Sequence, residues 1–185
     1  MDRKPGRPRL LSLDAIVEAV LADGISTFSM PSVAARLGVA HSGLYRYVHD
    51  GDDLLVSAIE RAALSAHWPE ADLPWRDLLR EISHTVQNVC ERYPGYAVAA
   101  LSPPRWSTKM VDQIGPYIIS LQRQGFTIED ASVAVTLAGN LALTTSLAGV
   151  TAAQRSTDIP RESSLAQQAR VLDIVLDGLA GRLIA

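Results

Sequence analysis

One cysteine in 185 residues excludes a disulfide framework and any zinc site built from several thiolates. It points to a reducing compartment, the cytoplasm. There is no excess of basic charge: 17 Lys and Arg face 20 Asp and Glu, for a net charge of -3. Taken as a whole, that balance argues against nucleic acid as a partner. No alternating apolar and polar pattern marks a strand, and no internal repeat is present. A secretory signal is also missing. Arg3, Lys4, Arg7 and Arg9 are interleaved with Pro5, Gly6 and Pro8, and the next segment carries Asp14, Glu18 and Asp23. Glycine-rich phosphate loops, nucleophile elbows and metal-ligand motifs are absent, and His84 and Cys90 do not share a helix face. These absences leave no expected catalytic residue, metal or cofactor.

What is present reads as helix. Ala131 to Gln154 carries no charge, but Ser132, Thr136, Asn140, Thr144, Thr145, Ser146 and Thr151 interrupt it. A membrane span needs about 20 mostly apolar residues, so a buried or interface helix is expected and no membrane. After Ser12, Leu13, Ile16, Val17, Val20 and Leu21 form one apolar stripe that Gly24 ends. Ser29 is the next N-cap, with Pro31 in the first turn and Gly38 at the end. A third short helix carries Leu44 and Val48. A fourth starts at Asp52 and Asp53 and runs towards His67. Beyond the link Pro69–Pro74, Leu78, Ile82, Val86, Val89 and Tyr93 mark a long helix. A short piece follows from Tyr96 to Leu101, then a helix with Met110, Ile114, Tyr117, Ile118 and Leu121. Thr127 caps the long uncharged helix with Asp130 as its partner, and a polar loop leads to a last helix with Leu165, Leu172, Leu176, Leu179 and Leu183. The expectation is an all-α protein of about nine helices: a basic arm over 1–11, a three-helix head over 12–51 and a helical body over 52–185.

The two short helices joined at Leu37-Gly38-Val39 have the dimensions of a helix-turn-helix. In such a unit the second helix enters the major groove. That places His41, Ser42, Gly43, Tyr45 and Arg46 at base edges, with Tyr47 and His49 nearer the sugar-phosphate backbone. Ser29 and Ser32, at the start of the preceding helix, complete the DNA-contact candidates. The residues alone leave a second reading open, that of exposed polar side chains on a small helix.

The run Ser29–Leu55, "SMPSVAARLGVAHSGLYRYVHDGDDLL", resembles the N-terminal domain of the TetR (tetracycline repressor) family of bacterial regulators in its "LGV" turn, its "LYRYV" helix and the following "LL". The resemblance implies a homodimer on a palindromic double-stranded DNA operator, and repression that a small ligand relieves. Two departures stand out. Gly51, among Asp50, Asp52 and Asp53, replaces the family's usual phosphate-binding Lys, and Ala40 replaces a capping side chain. The arm "RKPGRPR" resembles an AT-hook core, which would set Arg3, Arg7 and Arg9 in a narrow minor groove.

The body resembles the tetracycline-repressor type in Trp75 with "RDLLR", in "QGFTIEDA" from Gln124 to Ala131, and in Gly139. The matching positions for its drug- and magnesium-binding His and Glu are Ala100 and Ala148. Its drug-binding Asn is Ile82 here, and His67 matches a ligand-contacting His. This pattern argues against tetracycline and against bound magnesium. The expected pocket is lined by His67, Ile82, Val86, Tyr117, Asn140 and Thr144, mostly apolar with a few polar fixing points. Asn140 is the sharpest pointer, because a buried amide needs a partner: a ligand, a side chain or a second subunit. The last two helices are expected to build the dimer. Ala131, Ala134, Ala138 and Ala142 would allow close approach, and Leu172, Leu176, Leu179 and Leu183 would form an apolar seam. Trp68, Trp75 and Trp106 are expected as packing anchors and Cys90 as a core residue.

A rival reading is a helical interaction module that has lost DNA binding, favoured by Gly51 and the acids from Asp50 to Asp53. Counting charge by segment favours the DNA reading. Residues 1–12 hold four basic residues against Asp2 alone, and Ser29 to Tyr47 contains Arg36 and Arg46 without an acid.

Overall fold

The computed structural model describes residues 11–155, 161–181 and 183. The arm residues Arg3, Arg7 and Arg9 lie outside the described residues. Among those described there is no strand, in agreement with the all-α expectation.

The head forms where its caps dictate. Ser12 Oγ accepts the Ala15 amide at 3.2 Å and starts α1 (Leu13–Asp23). Ser29 and Ser32 exchange side-chain bonds at the start of α2 (Met30–Leu37). Ser29 Oγ accepts Ser32 N–H at 3.1 Å, and Ser32 Oγ accepts Ser29 N–H at 2.9 Å. Such a box satisfies amides that have no helical partner. Gly38 then turns the chain at φ +66°, a conformation that costs a side-chain-bearing residue energy.

The recognition segment His41–Arg46 differs from the expected α-helix. It is a 3-10 helix, closed by Gly43 N–H to Ala40 C=O at 2.8 Å and Tyr47 N–H to Leu44 C=O at 2.9 Å. Ala40 gives its first turn no side-chain cap, and Gly43 has the lowest helix preference of the segment. Leu44 and Val33 are nevertheless fully buried and Val48 nearly so. Each such burial contributes roughly 1.5–3 kcal/mol, so packing rather than propensity holds the segment.

The body begins on α3 (Gly51–Leu64), which Asp50 caps by accepting Asp53 N–H at 2.7 Å. Leu54 rather than Leu55 fills the core. The helix stops at Leu64, short of His67, because Ser65 Oγ donates to Ala62 C=O at 2.8 Å and Trp68 Nε1 to Ala63 C=O at 2.9 Å. Then follow α4 (Trp75–Arg92), α5 (Tyr96–Leu101), α6 (Thr108–Arg123), α7 (Ile128–Arg155) and α8 (Arg161–Ala180). The "QGF" motif acquires a physical role at their junction. Pro74 offers no side-chain cap to α4. Gln124 supplies one, accepting Trp75 N–H at 2.7 Å and donating to Leu73 C=O at 3.0 Å and Ser120 Oγ at 3.2 Å. Phe126 packs edge-on to Trp75, with ring centres 5.3 Å apart. Thr127 Oγ1 accepts Asp130 N–H at 3.0 Å and donates to the Asp130 carboxylate.

One buried cluster is continuous from head to body. It includes Ile16, Val20, Val33, Leu44 and Leu54, passes through Ala58, Ile59 and Ala62, and reaches Val86, Val89, Tyr96, Met110 and Leu143. A second cluster joins Leu78, Leu79, Ile82, Tyr117, Leu121 and Phe126 to α7 and α8.

Two expectations need correction here. Ala131, Ala134, Ala138, Ala142, Leu172 and Leu176 are buried in the chain's own cores, and Leu179 and Leu183 pack against the second. They are not an interface seam, because the opposite faces of α7 and α8 are the exposed ones. Trp106 is 57% exposed and is no packing anchor, since the loop before α6 carries it outward. Trp68 and Trp75 are half-buried against the cores, and Cys90 is half-buried, its thiol pushed up by burial.

Candidate nucleic-acid interface

The packing of Leu44 and Val48 inward leaves His41, Ser42, Tyr45, Arg46, Tyr47 and His49 all exposed on the recognition segment. Gly43, half-buried between them, sits where an added Cβ would lie 4.0 Å from Leu11. Arg46 has no ion pair or hydrogen bond among the described residues, whereas Arg36 is held by Asp23. His41 and Tyr45 stand edge to face at 5.1 Å, one turn apart, with the Tyr45 hydroxyl 3.4 Å from His41 Nε2. Tyr47 donates to Leu11 C=O at 2.7 Å, which fixes the chain just after the basic arm beside the recognition segment. Ser29 and Ser32 are exposed, and their hydroxyls serve the α2 cap.

The acidic run is largely occupied. Asp50 caps α3, and its other oxygen lies 3.6 Å from His49 Nδ1. Asp53 accepts His49 N–H at 2.9 Å through one oxygen and the Arg105 guanidinium through the other. The His49 amide holds the Asp53 carboxyl below its ordinary range, burial opposes this, and Arg105 adds to the lowering. Further along α3, burial raises Glu60, but Lys109, 2.6 Å away, and Ser107 outweigh it and leave the carboxyl low. Sequence reasoning misses Arg105 and Lys109, because nothing local announces that the chain around α6 returns to α3.

The ligand candidates are divided between the two buried clusters and the surface. Ile82 and Tyr117 are buried in the second cluster and Val86 in the first. The Tyr117 hydroxyl donates to Pro69 C=O at 3.0 Å and accepts from Gln113 at 3.2 Å. His67 is exposed on the link before α4. Asn140 is exposed on α7 rather than buried, because Ala138, Ala142 and Leu143 take the inward face. Thr144, also exposed, donates back to Asn140 C=O at 2.9 Å. A groove of about 490 Å3 lies elsewhere, between α4 and α8, with Ser83, His84, Gln87 and Asp173 among its walls. Among the described residues, no cluster of His, Cys, Asp or Glu is arranged to hold a metal ion.

No protein-family model matches the sequence. The HTH-type transcriptional repressor DrrR1 of Streptomyces coeruleorubidus is 31% identical over 134 residues, covering 68% of this chain and 49% of that protein. The chain thus spans about half the length of this curated relative. The crystal structure of the TetR family protein ActR from Streptomyces coelicolor, in complex with (S)-DNPA, superposes with a TM-score of 0.77 at 22% identity, over 93% of this chain and 98% of that one. A TetR variant from Acinetobacter baumannii, in complex with minocycline, gives 0.79 at 19% identity, over 94% and 96%. BioQ of Mycobacterium smegmatis gives 0.74 at 20%, over 92% and 96%. A capped helix-turn-helix head continuous with an all-helical body is thus the fold that these TetR-family structures share with the chain, and 68% of the chain is similar in sequence to an HTH-type transcriptional repressor.

Proposed function

We propose that the chain is a DNA-binding transcriptional regulator, a repressor, that binds a palindromic operator as a homodimer and is released by a small apolar or amphipathic effector. One observation carries the reading. A segment of six residues is held by its buried Leu44 while His41, Ser42, Tyr45 and Arg46 face outward, and Arg46 is unpaired among the described residues. An unpaired guanidinium suits guanine or phosphate, and a helix-turn-helix presents its second helix in this way.

The homodimer reading is supported by α7 and α8. Val133 and Leu137 stand exposed on α7 in line with Asn140 and Thr144, and Val171 and Ile174 stand exposed on α8. The 21-residue stretch Ile128–Ala148 is apolar enough to cross a membrane by composition, yet only a third of its best window is buried within the chain. A second copy covering the stripe would remove this apolar surface from water and would satisfy Asn140 across the two-fold axis. That assigns Asn140 and Thr144 to the interface rather than to the pocket.

The effector reading is supported by the relatives solved with (S)-DNPA and with minocycline. Here Ile82, Val86 and Tyr117 are closely packed, so an effector entering between them has to displace side chains, and that displacement is what would alter the head. Binding DNA through these side chains calls on neither metal nor cofactor, and it places the protein in the cytoplasm with the chromosome.

The reading is tested by selecting duplexes from a randomised pool with the full chain. Enrichment of a palindrome bound by two chains, with affinity that falls steeply with salt, is the expected result. Failure to enrich any duplex rejects the reading and leaves the interaction module.

A further inference from the structure

Besides the ion pairs of Arg61 on α3 with Asp14 and Glu18 on α1, the head meets the body at two connecting loops. Near the α1–α2 turn, Ile25 N–H donates to Pro94 C=O at 3.1 Å. The other lies at the start of α3, where the loop between α5 and α6 comes back. Ser107 caps α6 by accepting Met110 N–H at 3.2 Å, and Met110 is buried in the core cluster that holds Ile59. The loop is therefore fixed at its α6 end, and it presents Arg105 to Asp53 and, one turn further on, Lys109 to Glu60.

Asp53 is the unusual member. Its two oxygens do different work: one accepts the His49 amide just after the recognition segment, and the other takes Arg105 from the body. Its own amide is donated to Asp50. No regular secondary structure spans Tyr47 to Asp50. Beyond the burial of Leu44 and Val48, the orientation of the recognition segment relative to α3 depends on this short connection and on the bond that Asp53 makes to it. A carboxylate free to rotate would hold His49 poorly, whereas one clamped at its other oxygen holds it in one place.

We infer that Arg105 is a positioning residue for DNA reading: through Asp53 it fixes the end of the recognition segment against the body. This rests on the DNA-binding reading above. It assigns no DNA contact to Arg105 itself. Arg105 sets the angle at which His41, Ser42, Tyr45 and Arg46 are offered. A rigid offer binds tightly because less ordering remains to be done on the duplex.

The test uses the full chain and a duplex that the wild-type chain has selected. Arg105→Gln, Asp53→Asn and the double variant are compared with Arg105→Lys. The single variants are expected to weaken binding about five- to twentyfold. The double variant should be no weaker than Asp53→Asn, as two members of one linkage behave. Arg105→Lys should recover part of the loss. The slope of affinity against salt should stay that of the wild type, since a lost phosphate contact would lower it by about one unit. Amide exchange at His49, followed by NMR, should speed up in Arg105→Gln while the melting temperature holds.

Wild-type affinity and His49 exchange in Arg105→Gln would overturn the inference and leave the regulator reading standing. So would a reduced salt slope, which would make Arg105 a direct contact. A wild-type chain that selects no duplex overturns both.

Discussion

Gln124 accepts the Trp75 backbone amide at 2.7 Å and donates to the Leu73 carbonyl at 3.0 Å, so a side chain after α6 serves as the cap that Pro74 cannot give to α4. Gln124→Ala removes both bonds and a third to Ser120 at a half-buried site, where each unsatisfied group costs about 1–3 kcal/mol. Urea unfolding should show a loss of about that size with an unchanged m-value. A variant as stable as the wild type would show that water replaces the cap.

On DNA, Arg46→Ala should cost about 1–3 kcal/mol on the selected duplex and relax preference at one base position. Tyr47→Phe should act differently. It breaks the bond to Leu11 C=O, so it should mimic part of the effect of deleting residues 2–9, lowering affinity and flattening the salt dependence without altering base preference. Binding titrations over a range of salt concentrations separate the two. A Tyr47→Phe variant with changed base preference would place the hydroxyl on the DNA instead.

Acid should loosen the seat of α3 on the chain around α6 and, through Asp53, its hold on His49. Asp53 and Glu60 both sit below their ordinary ranges when folded. Their contribution is therefore complete above the unfolded values, near pH 4 to 4.5, and disappears as pH falls through the lower folded values. Thermal melts from pH 6 to pH 3 should decline less steeply for Asp53→Asn with Glu60→Gln than for the wild type. Parallel profiles would mean that other carboxylates carry the acid response.

Oligomeric state should respond to the outward faces of α7 and α8. Ile174 is 65% exposed and Val133 is 60% exposed. Val133→Asp or Ile174→Asp should yield a folded monomer by sedimentation, with helical content unchanged. Leu176→Ala, on the buried face, should instead cost about 2–5 kcal/mol of stability. A dimer that survives both aspartates would place the interface elsewhere.

The head is readable in the sequence because its punctuation is local. Ser12, Gly24, Ser29 and Gly38 each mark an end within a few residues, and the structure uses all four as caps or stops. The recognition segment departs from the α-helical expectation because its geometry is set by Leu44 and Val48 packing on distant partners. The body is less legible. An uncharged helix such as α7 announces that water is excluded, but not by which neighbour. Alanine and leucine on one face and valine with Asn140 on the other look alike until α4 is known to lie against the first. Arg105 illustrates the same limit, since 52 residues separate it from Asp53 and no periodicity links them.

Among the attachments between head and body, the one at Pro94 is made by backbone atoms. Beside it Gly95 has φ +84°, and a Cβ there would strike Ser26. No change of side-chain charge can retune that joint, and no larger residue fits at Gly95. The Arg105 attachment is made of ions and can be strengthened, weakened or reversed by single substitutions. An engineer wishing to alter how firmly the reading head is held therefore has ionic fastenings to adjust, at Arg105 and at Arg61, and a fixed pivot at Pro94.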